Sequence, residues 1–297
     1  MKNKIVVKDN ALINASYNLD VTEQRLILLA IAEARESQTG ITTDNELIVH
    51  ASSYINTFEV ERHTAYESLK EACLSLFGRQ FSYQFDNEHG NLEKAHSRWV
   101  SKISYVENEA IVKLIFAPDI IPLITRLEEC FTSYDLKQIA KLTSRYAIRL
   151  YELLISWRSV GKTRIYGIQE FRSLLGIEEN EYARTEAFKR RVLEVAISQI
   201  TEFTDINVKY EQHKKGKSII GFSFSFKQKK EKSLPKLTGK QVQYFSNLLA
   251  HDPSFASRNS KVGESYPDFQ KRIANELLLP QNIQLHLEDL KRLGLKI

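Results

Sequence analysis

Apolar residues in this chain follow one series of spacings that occurs twice, about 120 residues apart. In the first copy, Leu26, Leu29 and Ala30 follow the three-four spacing of a helix with one buried stripe. This spacing predicts an amphipathic helix over residues 22–34, for which Asp20 or Thr22 can serve as the N-cap. The pattern then predicts a strand over 47–50, a short helix over 53–58, a longer helix over 62–77, and aromatic strands that start at Phe81 and Trp99.

The second copy repeats the order of the first. The pattern predicts a helix over 144–157, a strand over 163–166, a short helix over 169–175, a long helix over 185–203, and a hairpin of 206–210 with 219–226. Helix, strand, helix, helix, hairpin is the order of a winged helix-turn-helix. The chain is therefore predicted to be an α+β protein with two tandem winged-helix domains and a C-terminal helical extension.

Three domains are predicted from these patterns. Residues 1–126 form the first winged-helix domain, and residues 127–232 form the second. Residues 233–297 form an extension of unknown role, which begins with the proline-containing linker SLPKLTG. Helices are predicted there over 239–250, 266–278 and 283–293, around a polar loop, and the extension is expected to be too short for a large core of its own.

Three segments of the first domain receive separate predictions. Residues 5–19 are too polar after Val7 to predict a strand. Residues 86–98 (DNEHGNLEKAHSR) are polar and separate two aromatic strands, so we interpret them as a long wing. Residues 117–127 predict a closing helix with Pro118 in its first turn.

Composition places the chain among ordinary globular proteins. It has 297 residues, of which 42% are hydrophobic and 27% are charged. No apolar run approaches the roughly 18 residues that a membrane span needs, and the N-terminus has no signal-like apolar stretch, so we expect a cytoplasmic protein. The two cysteines, Cys73 and Cys130, predict neither a disulfide framework nor a metal site, and Cys73 is expected to be a small buried side chain.

The net charge of +5 is unevenly distributed along the chain. Residues 1–126 carry 13 Lys and Arg against 17 Asp and Glu, whereas residues 127–232 carry 20 against 14. The second hairpin and its exit (205–232) hold eight lysines against three acids. Clustered cations of this kind are typical of a polyanion partner, although a solvated lysine surface is the open alternative.

The second copy supplies both parts of a DNA reader, because a helix fits the major groove while wing lysines reach phosphates. Candidates at the start of its long helix are Arg184, Thr185, Lys189, Arg190 and Arg191, with Ser198 further along. Candidates on the wing are Lys214, Lys215 and Lys217, around Gly216. The alternative is that Arg184 or Arg191 merely pairs with a nearby acid, Glu181 or Glu194.

The first copy has a less basic helix start. Its candidates for DNA contact are Arg62, His63, Thr64 and Lys70. The negative total of this domain argues for a weaker role in DNA binding, and an apolar strand surface there could instead support dimerisation.

Enzyme signatures fall short in this sequence. Gly161, Lys162 and Thr163 match the end of a phosphate-binding loop, but Ser156 stands where the loop needs a glycine. Rolling-circle nucleases use a His-apolar-His metal site, and none of the seven histidines forms such a pair. We therefore predict no catalytic residues, no metal, no cofactor and no enzymatic activity.

Three segments together carry a family resemblance: VVKDNALINASYNLDVTEQRLILLAIAEAR, YDLKQIAKLTSRYAIRLYELLISW and FKRRVLEVAISQITEFTDINVKYEQHKKGKSIIGFSFSF. They strongly resemble the initiator Rep proteins of iteron-containing bacterial plasmids (the RepE, RepA and pi group), including the Rep proteins of small related circular DNAs. The resemblance covers about residues 5–230 in collinear order and does not extend to the residues beyond 233.

The resemblance implies tandem winged helices that bind repeated origin sequences (iterons) in double-stranded DNA as a monomer. It also implies a dimer that binds an operator inverted repeat and represses its own gene, and recruitment of the host initiator DnaA and the replicative helicase without catalysis. In such proteins the second domain is the stronger base reader, a role that falls here on Lys189, Arg190 and Arg191. We therefore predict a plasmid replication initiator; the alternative is a winged-helix transcriptional regulator without origin activity.

Overall fold

The structure is a computed structural model, and it describes residues 4–125, 131–229, 236–261 and 263–295. The chain divides into two compact units, residues 1–229 and 230–297. The first unit contains both copies of the repeated pattern, which we call the first half and the second half. The second unit is the C-terminal extension.

The first half is built around α2, which is buried over most of its circumference rather than along one stripe. Asp20, one of the two predicted N-caps, accepts a hydrogen bond from the amide of Glu23 and also forms a capping box with it. The helices are α1 (Asn10–Ile13), α2 (Val21–Glu36), α3 (Ala51–Phe58), α4 (Arg62–Leu76), α5 (Ile120–Thr125) and α6 (Lys137–Ala140). The strands are β1 (Ile5–Asp9), β2 (Ser16–Tyr17), β3 (Leu47–His50), β4 (Gln80–Asp86), β5 (Leu92–Arg98), β6 (Val100–Val106), β7 (Ile111–Phe116) and β8 (Phe131–Asp135).

The second half repeats this order with one addition, a π-helical turn inside its long helix. Its helices are α7 (Arg145–Ile155), α8 (Ile168–Leu174), α9 (Thr185–Phe188) and α10 (Glu194–Phe203), and the π turn Lys189–Leu193 joins the last two. Its strands are β9 (Tyr166–Gly167), β10 (Ile206–Lys215) and β11 (Ser218–Gln228). We call Thr185–Phe203 as a whole the recognition helix.

Sheet topology confirms the duplication. The winged-helix sheet of the first half has the order β3-β7-β6, and that of the second half has the order β9-β11-β10. In both sheets the strand between the first two helices of the motif pairs with the last strand of the hairpin. The hairpin β6–β7 is therefore the wing of the first half, and its tip is the acidic turn Glu107–Glu109.

This topology corrects the interpretation of residues 86–98 as a wing loop. They include β5, which pairs along its full length with β4. Six of the seven residues of β5 are polar or small, and β5 lies at the edge of the sheet β2-β4-β5. A charged edge strand has no buried face to impose an alternating pattern, so this strand left no hydrophobic signal in the sequence.

Strand β1 was also missed, because Lys8 made the segment look polar. The side chain of Lys8 is only 3% exposed, and its Nζ lies 2.7 Å from Oε1 of Glu152 on α7. Since Glu152 follows 144 residues later, no local pattern could show that this lysine would be neutralised. Strand β1 pairs with β8, so that the start of the chain lies beside residues 131–135.

The C-terminal extension has a small hydrophobic core of its own. Phe255, Phe269, Ile273 and Leu277 are buried together in it. Its helices are α11 (Gly239–His251), α12 (Pro253–Asn259), α13 (Tyr266–Leu277), α14 (Pro280–Leu285) and α15 (Leu287–Arg292). Helix α12 lies in the predicted polar loop; Asp252 caps it and Pro253 opens it, a start signal that the polar composition concealed.

Two smaller predictions also need correction. The closing helix α5 begins at Ile120, later than the predicted start at residue 117, while the predicted end falls on residues 126–130, with Cys130, which lie outside the described residues. The long helices 62–77 and 185–203 were expected to bury an apolar stripe to their last residues, but Phe77 and Phe203, at their C-terminal ends, are 48% and 39% exposed. Cys73 is buried as predicted, and burial raises the pKa of its thiol to about 12.

Candidate nucleic-acid interface

The helix-turn-helix of the second half is held together by a buried arginine. The guanidinium of Arg172, on α8, lies near the ring of Phe188 and donates hydrogen bonds to the carbonyls of Glu178, Glu181 and Tyr182 in the turn that follows. The turn therefore has a fixed conformation, including the positive φ of 49° at Tyr182. Sequence reasoning missed Arg172, because α8 (IQEFRSL) contains other polar residues and nothing local distinguishes this one.

The recognition helix packs on the sheet through aromatic side chains. Phe188 contacts Phe171 and Phe222, with ring centroids 6.0 and 5.9 Å apart. Four of its buried residues, Phe188, Val192, Ala196 and Ile200, repeat every four positions. An α-helix has 3.6 residues per turn, so a four-residue repeat drifts away from the core. The π turn holds more residues per turn and keeps this stripe against the sheet.

The π turn contains three of the predicted base-reading residues, Lys189, Arg190 and Arg191. The side chains of Arg190 and Arg191 are exposed, and Lys189 is half-buried. We call these three residues the cationic turn. Arg184, at the N-cap position of α9, is exposed one turn earlier, and Thr185 is half-buried beside it. Ser198 is exposed two turns further along the recognition helix.

The nearby acids do not neutralise these arginines. Glu181 pairs with Arg145, at 2.8 Å, and not with Arg184. Across the described parts of the chain, Arg184, Arg190, Arg191 and Glu194 take part in no ion pair. The alternative in which these cations merely satisfy neighbouring carboxylates is therefore not what the structure has.

A shallow groove runs between the start of the recognition helix and the hairpin β10–β11, which is the wing of this half. Its volume is about 330 Å³, and Thr185, Lys189, Arg190 and Ile219 line it. Glu186 and Glu194 also line the groove. Carboxylates oppose phosphate but can accept a hydrogen bond from the amino group of cytosine, so this groove has groups for base edges as well as for the backbone.

The wing carries its lysines at the tip. Lys214, Lys215 and Lys217 are all exposed, and Gly216 adopts the positive φ of 63° that the tight turn between the strands requires. A register shift at His213 and Lys214 interrupts the ladder just before the tip, where the His213 ring nitrogen Nε2 lies 2.8 Å from the Ser223 hydroxyl. The tip is thus a cationic projection suited to phosphate contact.

The corresponding face of the first half is less suited to DNA. Arg62 donates to the hydroxyl of Tyr66 at 2.8 Å, and Lys70 forms an ion pair with Glu107 at the acidic wing tip. Thr64 donates to the carboxylate of Glu61, which caps α4. His63 is exposed. All four candidates lie on the surface, but three of them already bind groups of the protein, and the nearest wing tip carries negative charge.

The described residues provide neither a metal-binding group nor a membrane-spanning helix. Within residues 4–125, 131–229, 236–261 and 263–295, no group of three or more His, Cys, Asp or Glu side chains is placed to hold a metal ion. Over the same residues, no helix has the length and apolar character needed to cross a membrane.

Comparisons with known proteins agree with this architecture. Residues 5–155 match the family model described as "Initiator Replication protein, WH1", and residues 167–226 match the one described as "Initiator Rep protein, WH2". The first match includes α7, which we placed in the second domain; α7 contacts both α2 and α10, and the boundary near residue 126 stays a prediction.

Individual relatives match different shares of this chain at different sequence identities. A replication initiation protein of Escherichia coli is 23% identical over 224 residues, which are 73% of this chain and 67% of that protein. The crystal structure of the pi initiator protein in complex with iteron DNA is 22% identical, with a TM-score of 0.63, and the match covers 78% of this chain and 99% of that one. The WH1 domain of MSBI1.176, a replication protein isolated from a multiple sclerosis patient, is 64% identical over 43% of this chain and 97% of its own, with a TM-score of 0.36. With both winged-helix models matched in order over most of its length, the chain belongs to the family of initiator replication proteins.

Proposed function

We propose that this chain starts replication of a plasmid-type circular DNA by binding repeated double-stranded sequences at the origin. The observation that carries the proposal is the cationic turn, Lys189–Arg191, whose two arginines are exposed on the recognition helix beside a lysine-tipped wing. Membership of the initiator family supports the origin as the target. The pi initiator, which shares this fold, is bound to iteron DNA in its crystal structure.

The two halves take different shares of the binding. In the second half, Arg190 and Arg191 are available for paired hydrogen bonds to guanine, each worth roughly 1–3 kcal/mol of discrimination. The lysines of the wing contact flanking phosphates. In the first half, α4 makes auxiliary contacts through His63 and the other exposed residues of its first turn, because the acidic tip Glu107–Glu109 keeps that wing away from phosphate.

Membership of the initiator family supports three further parts of the proposal. A dimer formed mainly through the first half represses the chain's own gene at an inverted repeat. The bound monomer recruits the host proteins DnaA and the replicative helicase, in the cytoplasm of a bacterial host. The chain itself catalyses no reaction, and cleavage of supercoiled origin DNA with a divalent metal would contradict this step.

Footprinting on the DNA that flanks the gene tests the proposal. Monomeric and dimeric fractions are first separated, so that each footprint belongs to a defined oligomeric state. We expect monomers to protect an array of direct repeats of about two helical turns each, and a plasmid with only this array to replicate when the gene is supplied separately. Protection of a lone inverted repeat, with no replication from the flanking DNA, would favour a transcriptional regulator.

A further inference from the structure

The two halves meet where the backbone at Tyr17 passes against Gly176. A Cβ atom at position 176 would lie 2.0 Å from the carbonyl oxygen of Tyr17 and 3.2 Å from Cα of Asn18. Only glycine allows this approach, and Gly176 also has a φ of 69°, which disfavours other residues. We call residues 13–18, residues 173–178 and the side chain of Arg149 the interdomain clamp.

Arg149 joins both sides of the clamp from within the core. Its side chain is 1% exposed and donates hydrogen bonds to the carbonyls of Ile13 at 2.9 Å and Ala15 at 3.0 Å, both in the first half. The same guanidinium donates to the carbonyl of Leu174 at 3.1 Å, at the end of α8 in the second half. The group also pairs with Glu152 at 2.8 Å, which holds it in place. Sliding one half past the other would leave these buried carbonyls without a donor.

Hydrogen bonds at the rim of the clamp add further links. The hydroxyl of Ser16 donates to the carbonyl of Ser173 at 2.9 Å. The amide of Asn18 donates to Oε1 of Glu178 at 2.9 Å. These contacts connect the same two segments as Gly176 and Arg149, so the clamp has a buried centre and a polar edge.

Each side of the clamp leads directly to a predicted DNA-binding element. On the first side, Tyr17 packs against Trp99, with ring centroids 4.8 Å apart, and Trp99 precedes β6, which packs against α4, the helix that carries the DNA-contact candidates of the first half. On the second side, the carbonyl of Glu178 accepts a hydrogen bond from Arg172, the residue that fixes the turn before the recognition helix. A displacement at Gly176 is therefore transmitted to the cationic turn through a few rigid contacts.

We propose that the interdomain clamp fixes the distance and rotation between the two DNA-binding elements, and so sets which spacing of half-sites this chain accepts within one repeat. The inference rests on the proposed function, in which both halves contact one DNA segment. Residues of the clamp are positioning residues that touch no DNA. Inserting one base pair turns the two half-sites by about 35° relative to one another and separates them by about 3.4 Å. A rigid clamp cannot follow this change, whereas a loosened one can.

Binding to a spacing series tests the clamp in the full-length chain. The DNA duplexes carry one repeat with its native spacing, or with one or two base pairs inserted or deleted between the half-sites. The test variant is Gly176→Ala. Its matched control is Gly263→Ala in the C-terminal extension, which also has a positive φ but has no atom within 4 Å of the added Cβ.

We expect the wild type and Gly263→Ala to lose about tenfold or more in affinity for each inserted base pair, the loss expected when one set of base contacts is broken. For Gly176→Ala we expect weaker binding at the native spacing and a loss of less than about threefold per insertion. Melting temperature and circular dichroism establish whether Gly176→Ala folds. If it does not, Asn18→Ala, which removes the hydrogen bonds of Asn18 with Glu178 and with Arg145, is measured on the same series and is expected to flatten it in the same direction.

The outcomes separate the two proposals. A wild type that binds no repeat at any spacing contradicts the proposed function. A wild type that binds the repeat but tolerates every spacing equally overturns the clamp inference alone. A folded clamp variant whose spacing profile matches that of the wild type, with affinity lowered by one common factor, also overturns it, because a purely structural role lowers all affinities together.

Discussion

Lys8 and Glu152 form a buried ion pair, with Nζ of Lys8 2.7 Å from Oε1 of Glu152. The carboxylate also accepts hydrogen bonds from the hydroxyls of Tyr134 at 2.7 Å and Tyr17 at 3.2 Å, and pairs with Arg149. Burial alone would raise the pKa of Glu152, but the charges of Lys8 and Arg149 outweigh it and lower the pKa to about 2. The carboxylate of Glu152 is therefore the shared counter-charge of Lys8 on strand β1 and of Arg149 on helix α7.

Replacing this carboxylate should destabilise the protein in a pH-dependent way. In Glu152→Gln the two buried cations lose their counter-charge, and we expect the free energy of unfolding to fall by about 3–5 kcal/mol near neutral pH. The folded pKa lies below the unfolded value of 4.5, so the wild-type contribution is present above pH 4.5 and is lost as the pH falls toward 2. The difference between wild type and variant should therefore shrink over this window.

Denaturant unfolding at a series of pH values measures this difference. Glu93→Gln is the control, because Glu93 is exposed on β5, and we expect a change within about 0.5 kcal/mol. A gap between wild type and Glu152→Gln that stays constant from pH 7 to pH 3 would show that the ion pair is not the source of the stability.

Arg190 and Arg191 are expected to give specificity rather than general affinity. Replacing both with Ala should weaken binding to the origin repeat by about 1–3 kcal/mol per lost base contact, with a much smaller effect on unrelated DNA. Titration of labelled duplexes of both kinds, at one salt concentration, measures the ratio. The double variant Lys240→Ala, Lys271→Ala removes the same charge from exposed positions in the extension. Equal losses for both DNAs would make the two arginines phosphate contacts.

The wing lysines are expected to determine the salt dependence of binding. Each phosphate contact contributes about 0.9 to the slope of log affinity against log salt concentration. Replacing Lys214, Lys215 and Lys217 with Ala should reduce the magnitude of this slope by up to about 2.7. A triple variant of the exposed lysines Lys240, Lys261 and Lys271 should leave it unchanged. If the wing variant keeps the wild-type slope, the wing lies outside the interface.

The C-terminal extension is expected to unfold separately from the two halves, because it has its own core. Phe255→Ala removes a fully buried ring and should cost the extension about 3–5 kcal/mol. Hydrogen exchange should then lose protection over residues 239–292 and keep it over the recognition helix. Leu285→Ala is the matched control, since that side chain is 78% exposed. Loss of protection in both units would contradict the division.

Local spacing was enough to predict the duplicated motif, because its helices and most of its strands carry regularly spaced apolar residues, even where a helix such as α2 is buried over most of its circumference. The cationic turn was found for the same reason, since the apolar stripe of the recognition helix left Arg190 and Arg191 pointing outward. The π turn itself was not predicted, although the four-residue repeat of its buried positions was present in the sequence.

The features that escaped prediction depend on partners far along the chain. Lys8 lies in a strand only because Glu152 is present to neutralise it. Strand β5 forms because β4 offers a free edge, not because its own side chains alternate. In the sequence, Gly176 is an ordinary glycine just after a helix, and only the fold brings it against the backbone of Tyr17. These contacts join different segments of the chain, so the periodicity within one segment cannot predict them.

The close approach of Gly176 to Tyr17 has a consequence for exchanging parts between relatives. A chimera that joins the first half of one initiator to the second half of another would bring together segments 13–18 and 173–178 of different origin. Unless both segments are transferred as a pair, a side chain in place of Gly176 would collide with the foreign backbone. The two halves resemble separable modules in sequence, but recombination between them is restricted by a contact between two short segments outside both recognition surfaces.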